Sequence, residues 1–247
     1  MQQYRASNYG GITPMVKNIL IINVIMLIGS MLVQQRGIDI SMMLGMHHPQ
    51  SAFFKPWQLL THVFMHANAM HLLSNMLGLY FFGTMLEMRW GGQRFLKFYL
   101  ITALAAAALH IGVLHYRMLP FLGNLTPEQI TAAFNLHPFK GDPTGLNPSQ
   151  LNIAYMANVP MVGASGAIFG ILGACLIYFP NTTLYLIFPP IPIKLKYAVT
   201  FYGIYELING IQNNVGDNVA HFAHLGGLVA GILIVKYWNK TRRDRFY

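Results

Sequence analysis

The sequence is short of charge, and this scarcity already restricts the class of protein. Lys, Arg, Asp and Glu make up only 9% of its 247 residues, whereas an ordinary soluble domain carries about 25% of them. Hydrophobic residues make up 54%, and the mean hydropathy is +0.43. A water-soluble globule of this composition lacks the polar residues to cover its surface. The composition therefore indicates a protein whose main solvent is lipid.

Cysteine and acidic residues are scarce as well. Cys175 is the one cysteine in the chain, which excludes an internal disulfide and any zinc site built from several cysteines. Seven acidic residues stand against 16 basic ones, giving a net charge of +9. Such an excess suits either nucleic acid or the cytoplasmic side of a membrane. The basic residues are dispersed at the ends of apolar segments, so we predict no nucleic-acid partner.

Apolar segments long enough to cross a membrane indicate the fold class. A bilayer core about 30 Å thick takes roughly 20 helical residues. We predict an all-α polytopic membrane protein whose transmembrane domain, residues 15–238, is a bundle of six helices. The predicted spans are residues 15–33, 70–86, 95–114, 162–179, 195–211 and 219–238.

Four further segments connect or flank these spans. They are an N-terminal segment (1–14), two long outer loops (34–64 and 117–160) and a basic tail (239–247). Six prolines exclude a continuous helix from the second loop. Within that loop we predict one helix, over residues 126–134, because Thr126 suits an N-cap and Pro127 suits the first helical position.

The start of the fourth span places a serine among glycines. Gly163 and Gly166 flank Ser165, and Gly170 follows one turn later. Such glycines let a bound group approach backbone N–H groups at a helix N-terminus, where negative charge is favoured, as an oxyanion requires. The same spacing is also typical of a packing face between membrane helices. Taken alone, the run favours packing.

The sixth span offers bases for that serine. His221 and His224 lie one helical turn apart, and Gly227 and Gly231 form a G-x-x-x-G face beyond them. A serine hydroxyl is a weak nucleophile until a base takes its proton. Close packing of the two spans would bring an imidazole to Ser165. No acid lies in either motif, so the pattern favours a Ser–His dyad over a triad, with a metal pair or structural histidines as the alternative.

The second span carries a pair of hydrogen-bond donors. His71 and Asn75 lie four residues apart and share one helix face, and both can donate to a developing oxyanion. His62 and His66, just before the span, have the same spacing and could ligate a metal or haem. No carboxylate lies nearby to support such a site. We therefore favour a hydrogen-bonded structural role for His62 and His66, and predict no metal and no cofactor.

Two acidic residues accompany the spans. Glu87 directly follows the second span beside Arg89, where a capping or interfacial role is favoured. Glu206 lies inside the fifth span, within two turns of its outer end. At that depth we favour snorkelling or pairing over a proton relay.

Three motifs, in this order on six spans, resemble those of the rhomboid family of intramembrane serine proteases. They are H-x-x-x-N at residues 71–75, G-x-S-G at residues 163–166 and A-H-L-G-G at residues 223–227. The likeness covers roughly residues 57–235.

This resemblance implies a role for each matching residue. Ser165 becomes the nucleophile and His224 its general base and acid, while His71, Asn75 and the backbone N–H of Ser165 hold the oxyanion. Phe169 stands where the family often has Tyr, and keeps a stacking surface for His224. The supporting residues are Gly163, Gly166, Phe169 and His66.

The reaction that the resemblance implies is hydrolysis of a peptide bond in or next to a transmembrane helix. The partners are then a membrane-protein substrate and the lipid bilayer, and no oligomeric state is predicted. A catalytically inactive rhomboid-like protein that binds membrane clients is one alternative, and the presence of both Ser165 and His224 argues against it. A histidine-ligated metal or haem membrane protein is the other.

The basic residues also predict the orientation of the bundle. With the N-terminus in the cytoplasm, 12 of the 16 Lys and Arg residues fall on the inner side and 4 on the outer side, as the positive-inside rule requires. We predict a multi-pass protein of the cell (cytoplasmic or inner) membrane with both termini in the cytoplasm. Reporter fusions at Tyr247 and within residues 141–150 should read inside and outside respectively. Readings on the same side would contradict six spans.

Overall fold

Helices form nearly all of the regular structure in the computed structural model, which describes residues 11–137, 145–185, 191–212 and 219–243. In chain order they are α1 (Pro14–Gln34), α2 (Ser41–Leu44), α3 (Gln58–Thr61), a 3₁₀ turn (His62–Phe64), α4 (Ala69–Gly78), a π-helical segment (Leu79–Gly83), α5 (Thr84–Trp90), α6 (Gly92–Leu122), α7 (Pro127–Asn135), α8 (Pro148–Asn158), α9 (Ser165–Tyr178), α10 (Leu195–Gln212) and α11 (His221–Arg243). Two short strands, β1 (Thr183–Tyr185) and β2 (Pro192–Lys194), pair antiparallel just before α10. The prediction of an all-α polytopic membrane bundle is confirmed.

Each of the six predicted spans coincides with a helix. Three helices are long and apolar enough to cross a membrane: α1, the continuous helix Ala69–Trp90, and α6. The helix α9 is apolar but has only 14 residues. The helices α10 and α11 are long enough, but polar side chains, among them Glu206 and two histidines, interrupt their apolar sequence. That these shorter or more polar helices cross the bilayer stays a prediction.

The predicted loop 117–160 is more helical than its prolines suggested. The third span was predicted to end at residue 114, but α6 continues to Leu122 and contains Pro120 in its last turn. A further helix, α8, was not predicted at all. It begins at Pro148, where Asn147 and Gln150 form a capping box, so this proline starts a helix and does not break one. The predicted helix over 126–134 is confirmed as α7.

The two long loops fold against each other. A small apolar core joins the end of α6 to α7 and α8. The buried Asn158 of α8 donates to the carbonyl oxygens of Ala133 (2.9 Å) and Leu136 (2.8 Å), and accepts from the Ser51 hydroxyl of the first loop (2.6 Å). Gln58, also buried, anchors the first loop by donating to the Phe53 carbonyl (2.9 Å). These bonds give the loops a defined shape over the membrane-facing helices.

Glycines allow the backbones of α9 and α11 to touch, along a contact that we call the glycine seam. A Cβ on Gly227 would lie 1.9 Å from the carbonyl oxygen of Gly166, and one on Gly231 would lie 2.1 Å from that of Gly170. A Cβ on Gly173 would meet a backbone oxygen of α11 at 2.4 Å. No side chain fits into these gaps. The packing function that the sequence indicated for this face is therefore present.

The opposite side of α9 packs just as tightly on α6. A Cβ on Gly166 would lie 2.6 Å from that of Ala106, and one on Gly170 would lie 2.5 Å from that of Thr102. Most of α9 is consequently buried, and its apolar residues join the main core with the buried Phe95, Phe98 and Tyr99 of α6. The helix that begins with Ser165 is therefore enclosed by its neighbours over most of its length.

Glu87 has the structural role that the sequence suggested. Its two carboxylate oxygens accept hydrogen bonds from the backbone N–H groups of Met15 (2.9 Å) and Val16 (2.8 Å), in the first turn of α1. The first N–H groups of a helix have no partner within the helix, and a carboxylate also complements the positive end of its dipole. Glu87 thus fastens α1 to the end of α5.

The glycine seam predicts a large difference between two Gly→Ala substitutions. Gly231→Ala should lower the unfolding midpoint in detergent, because overpacking costs typically 1–3 kcal/mol. Gly112→Ala is the matched control on α6, since a Cβ at Gly112 meets nothing within 4 Å. It should leave the midpoint unchanged or raise it slightly, as alanine is the better helix former by about 0.5–1 kcal/mol. Equal midpoints for the two variants would contradict the seam.

Candidate active site

An extended segment presents Ser165 at the first turn of α9. Met161 pairs with Met46 of the first outer loop through two backbone hydrogen bonds of 2.8 Å, and the N–H of Gly163 donates to the carbonyl of His62 (3.0 Å). Gly163 has a φ of +127°, which side-chain-bearing residues rarely adopt. The first loop therefore determines where the segment before Ser165 runs.

Ser165 and His224 meet across the glycine seam. The hydroxyl oxygen of Ser165 lies 2.8 Å from Nε2 of His224, and the two residues are 59 positions apart in the chain. The ring of Phe169, one turn after Ser165, stacks on the imidazole of His224 with centroids 4.4 Å apart and planes 4° apart. The structure thus gives the serine a base within hydrogen-bond distance and gives that base a flat apolar support.

The two predicted oxyanion donors lie on α4, beside this pair. A Cβ on Gly163 would lie 2.9 Å from the ring of His71 and 3.6 Å from the Ser165 hydroxyl, so glycine is needed for these groups to come together. Asn75 follows one turn later and is buried, and its side-chain N–H₂ group has no partner among the described residues. An unpaired buried donor is costly unless something uses it. Their role at an oxyanion stays a prediction.

The remaining histidines of the second-span motif differ from each other. His62 has the predicted structural role, because its Nδ1 donates to the Gln58 carbonyl (2.7 Å). For His66 the hydrogen-bonded role stays a prediction, because neither ring nitrogen makes a well-directed bond to the described residues. Its ring instead packs edge-on against His71, with centroids 5.1 Å apart. Burial, with a smaller effect from His71, lowers the pKa of His66 to about 4, so this ring is neutral at pH 7.

Glu206 is the site residue that the sequence interpretation underestimated. It is only 2% exposed on α10, which contradicts snorkelling and leaves the pairing that was also predicted. One carboxylate oxygen, Oε2, lies 2.6 Å from Nδ1 of His221 and 3.0 Å from Nδ1 of His224. The signal was present in the sequence, because Glu206 is the one acid inside the six predicted spans, and intramembrane carboxylates are functional candidates.

The same three residues are the group whose geometry suits a metal ion. Glu206, His221 and His224 each offer a ligand atom, and these atoms lie within 4.8 Å of one another. Neither His62 nor His66 belongs to such a group in the part of the chain that the structure describes. A metal in this cluster would draw on His224, which already contacts Ser165.

Comparison with known proteins identifies a matching family. The Rhomboid domain family model matches residues 54–240. The chain is 30% identical over 193 residues to RHOMBOID-like protein 12, mitochondrial, of Arabidopsis thaliana, covering 76% of this chain and 47% of that protein. It is 28% identical over 221 residues to RHOMBOID-like protein 1 of Arabidopsis thaliana (85% and 42%). It is 26% identical over 206 residues to Rhomboid-like protease 3 of Toxoplasma gondii (82% and 60%).

The chain spans between 42% and 60% of the length of these three relatives, so the shared part is the helical domain and not the whole of each relative. All three motifs of the candidate site lie within the matched residues. The chain belongs to the rhomboid family.

Proposed function

We propose that this protein is an intramembrane serine endopeptidase that cleaves a peptide bond in or next to a transmembrane helix of a membrane protein. The observation that carries the proposal is the 2.8 Å contact between the Ser165 hydroxyl and Nε2 of His224. His224 is buried and Ser165 is partly buried, so the contact is shielded from bulk solvent. A relative named as a protease, from Toxoplasma gondii, supports the same reaction class.

The proposed reaction begins with proton transfer from Ser165 to His224. As the hydroxyl attacks the scissile carbonyl, Nε2 takes its proton, and the carbonyl oxygen becomes an oxyanion. The backbone N–H of Ser165 and the side chains of His71 and Asn75 donate hydrogen bonds to that oxygen. His224 then returns the proton to the leaving amine, which leaves an acyl group on Ser165. A water molecule, deprotonated by the same imidazole, releases the acyl group and restores the serine.

The substrate must expose its backbone at the depth of Ser165. An intact helix hides its carbonyl groups in its own hydrogen bonds, so small or helix-weakening residues near the scissile bond favour cleavage. Substrate and lipid are then the partners. Residence in the cell membrane, with both termini in the cytoplasm, is part of the same proposal, although relatives carry mitochondrial or chloroplastic names.

The nucleophile and the base are tested by matched substitutions. Ser165→Ala and His224→Ala should each abolish cleavage of a fluorescence-quenched transmembrane peptide, hereafter the reporter substrate. Ser165→Ala should also abolish labelling by a fluorophosphonate probe. Ser30→Ala on α1, whose hydroxyl donates to the Leu27 carbonyl of its own helix (2.8 Å), is the control and should keep full turnover and labelling.

Two outcomes would contradict this assignment. Turnover by purified Ser165→Ala near the wild-type rate would exclude the serine mechanism. Absence of both turnover and labelling in the wild-type protein would favour the inactive client-binding alternative. A stoichiometric metal in the purified protein, with equal loss of activity in His221→Ala and His224→Ala, would favour the metal-protein alternative.

The predicted oxyanion donors are tested by measuring whether a substitution changes kcat or KM. Asn75→Ala should lower kcat by about 10²-fold with little change in KM, because removing a donor that acts only in the transition state affects kcat. His71→Ala should behave in the same way. The double variant should lose less than the product of the two losses, since both donors serve one oxygen.

Asn152→Ala on α8 is the control, because its amide bonds to the Pro148 carbonyl of its own helix. The unfolding midpoint should be measured on each sample. A lower midpoint with unchanged kcat in Asn75→Ala would show that Asn75 only packs, and would remove it from the site.

A further inference from the structure

One carboxylate oxygen is shared between the base of the proposed reaction and a second histidine. Oε2 of Glu206 lies 2.6 Å from Nδ1 of His221 and 3.0 Å from Nδ1 of His224. On the far side of the second imidazole, Nε2 lies 2.8 Å from the Ser165 hydroxyl. Four polar groups from three helices therefore form one chain, in the order His221, Glu206, His224, Ser165.

The Glu206 carboxylate is buried, and it therefore needs hydrogen-bond donors from the protein. Glu206 is 2% exposed, and His221 and His224 are each 8% exposed. A buried carboxylate loses its hydration and is stable only when donors replace the water. The contact with His221 already supplies one short donor. The second contact adds to this stabilisation, and it falls on the nitrogen of His224 that points away from the serine.

We propose that Glu206 is a positioning residue for His224 and that His221 holds Glu206 in place. The proposal rests on the function proposed above, because it gives Glu206 a role only if His224 is the base of Ser165. It changes the predicted dyad into a triad with a fourth, outer member.

The chemistry requires one particular tautomer of His224. Nε2 accepts the proton of Ser165 only if Nδ1 carries the ring's own proton. A carboxylate beside Nδ1 favours that tautomer, and its negative charge stabilises the imidazolium that forms when the proton arrives. The proton on Nδ1 stays on the imidazole throughout, and Glu206 remains a carboxylate.

Glu206 and Phe169 restrain the imidazole in different ways. The stack on Phe169 determines the plane of the ring, with 4° between the two planes. A flat stack leaves the ring free to turn within that plane. The carboxylate at Nδ1 determines the rotation, and so decides which nitrogen faces Ser165. Among the described residues, Nδ1 of His224 makes no hydrogen bond to any other group, so the ion-pair contact with Glu206 at 3.0 Å is the interaction that can set this rotation.

Other titratable groups also face this pair. His71 of α4 and His110 of α6 interact electrostatically with His224, and Tyr202 of α10 interacts with Glu206. Among these neighbours, Glu206 is the anionic group, since the histidines are neutral or positive and tyrosine is neutral near pH 7. Glu206 is therefore the neighbour that stabilises positive charge on His224.

The test replaces the charge while keeping the size of the side chain. Glu206→Gln should lower kcat for the reporter substrate at least tenfold with little change in KM. Replacing the aspartate of a soluble Ser-His-Asp triad with asparagine lowers kcat about 10⁴-fold, and this is the upper bound for the expected loss. The acidic limb of the pH–kcat profile should move to lower pH, because the imidazolium loses its anionic partner. Glu128→Gln, at an exposed carboxylate of α7, is the matched control and should match the wild-type protein in both.

Two further measurements do not depend on the folding of that variant. His221→Gln should lower kcat by less than Glu206→Gln and move the acidic limb in the same direction. In the wild-type protein, ¹⁵N shifts of labelled histidine should show Nδ1 of His224 protonated and Nε2 unprotonated at neutral pH. A purely structural role would lower the unfolding midpoint of both variants but leave the pH profile where it was.

The outcomes separate this inference from the proposed function. If Ser165→Ala is inactive while Glu206→Gln keeps the wild-type kcat and pH profile, the positioning role is wrong and the protease assignment stands. The opposite tautomer of His224 in the wild-type protein would also overturn the positioning role. Turnover by Ser165→Ala would instead remove the proposed function itself. Bound zinc, with activity lost on chelation, would show that the cluster holds a metal and would overturn the positioning role.

Discussion

The contact on which this structure depends is the direct backbone contact between α9 and α11 at their glycines. Gly166 and Gly170 present carbonyl oxygens into the gaps left by Gly227 and Gly231, and any Cβ there would overlap them. In a membrane no hydrophobic effect draws helices together, so close van der Waals contact is a main source of association. The same contact sets the distance between Ser165 and His224. The packing role of these glycines and the proposed catalytic role therefore arise from the same contact.

A second layer of structure, outside the bundle, completes the surroundings of the serine. The first loop pairs Met46 with Met161 and supplies the His62 carbonyl that receives the N–H of Gly163. These bonds hold the segment that leads to Ser165. Because His71 lies within contact distance of the Gly163 position, the loop also decides how closely the predicted oxyanion donor approaches the nucleophile. The long loops therefore contribute to the site and do not merely connect spans.

Burying a carboxylate among apolar helices is expensive, and the fold offsets that cost by placing two imidazoles on one of its oxygens. The arrangement also ties α10 to α11, which otherwise share mainly apolar contacts. Glu87 is also a buried carboxylate that is stabilised by donors. Each of its two oxygens accepts a hydrogen bond from a backbone N–H of α1. Both acids thus join two helices, and in both places a buried charge is stabilised by nearby hydrogen-bond donors.

Much of this protein was determined by its sequence alone. Apolar length predicted the helical bundle, and the motifs around His71, Ser165 and His224 predicted the family, because both depend on local spacing. Proline misled the prediction at residues 117–160, since Pro148 starts a helix when Asn147 caps it. The partnership of Glu206 with His224 lay beyond sequence reasoning. Eighteen residues and a change of helix separate the two, and only the packing of α10 on α11 decides which donors a buried carboxylate meets.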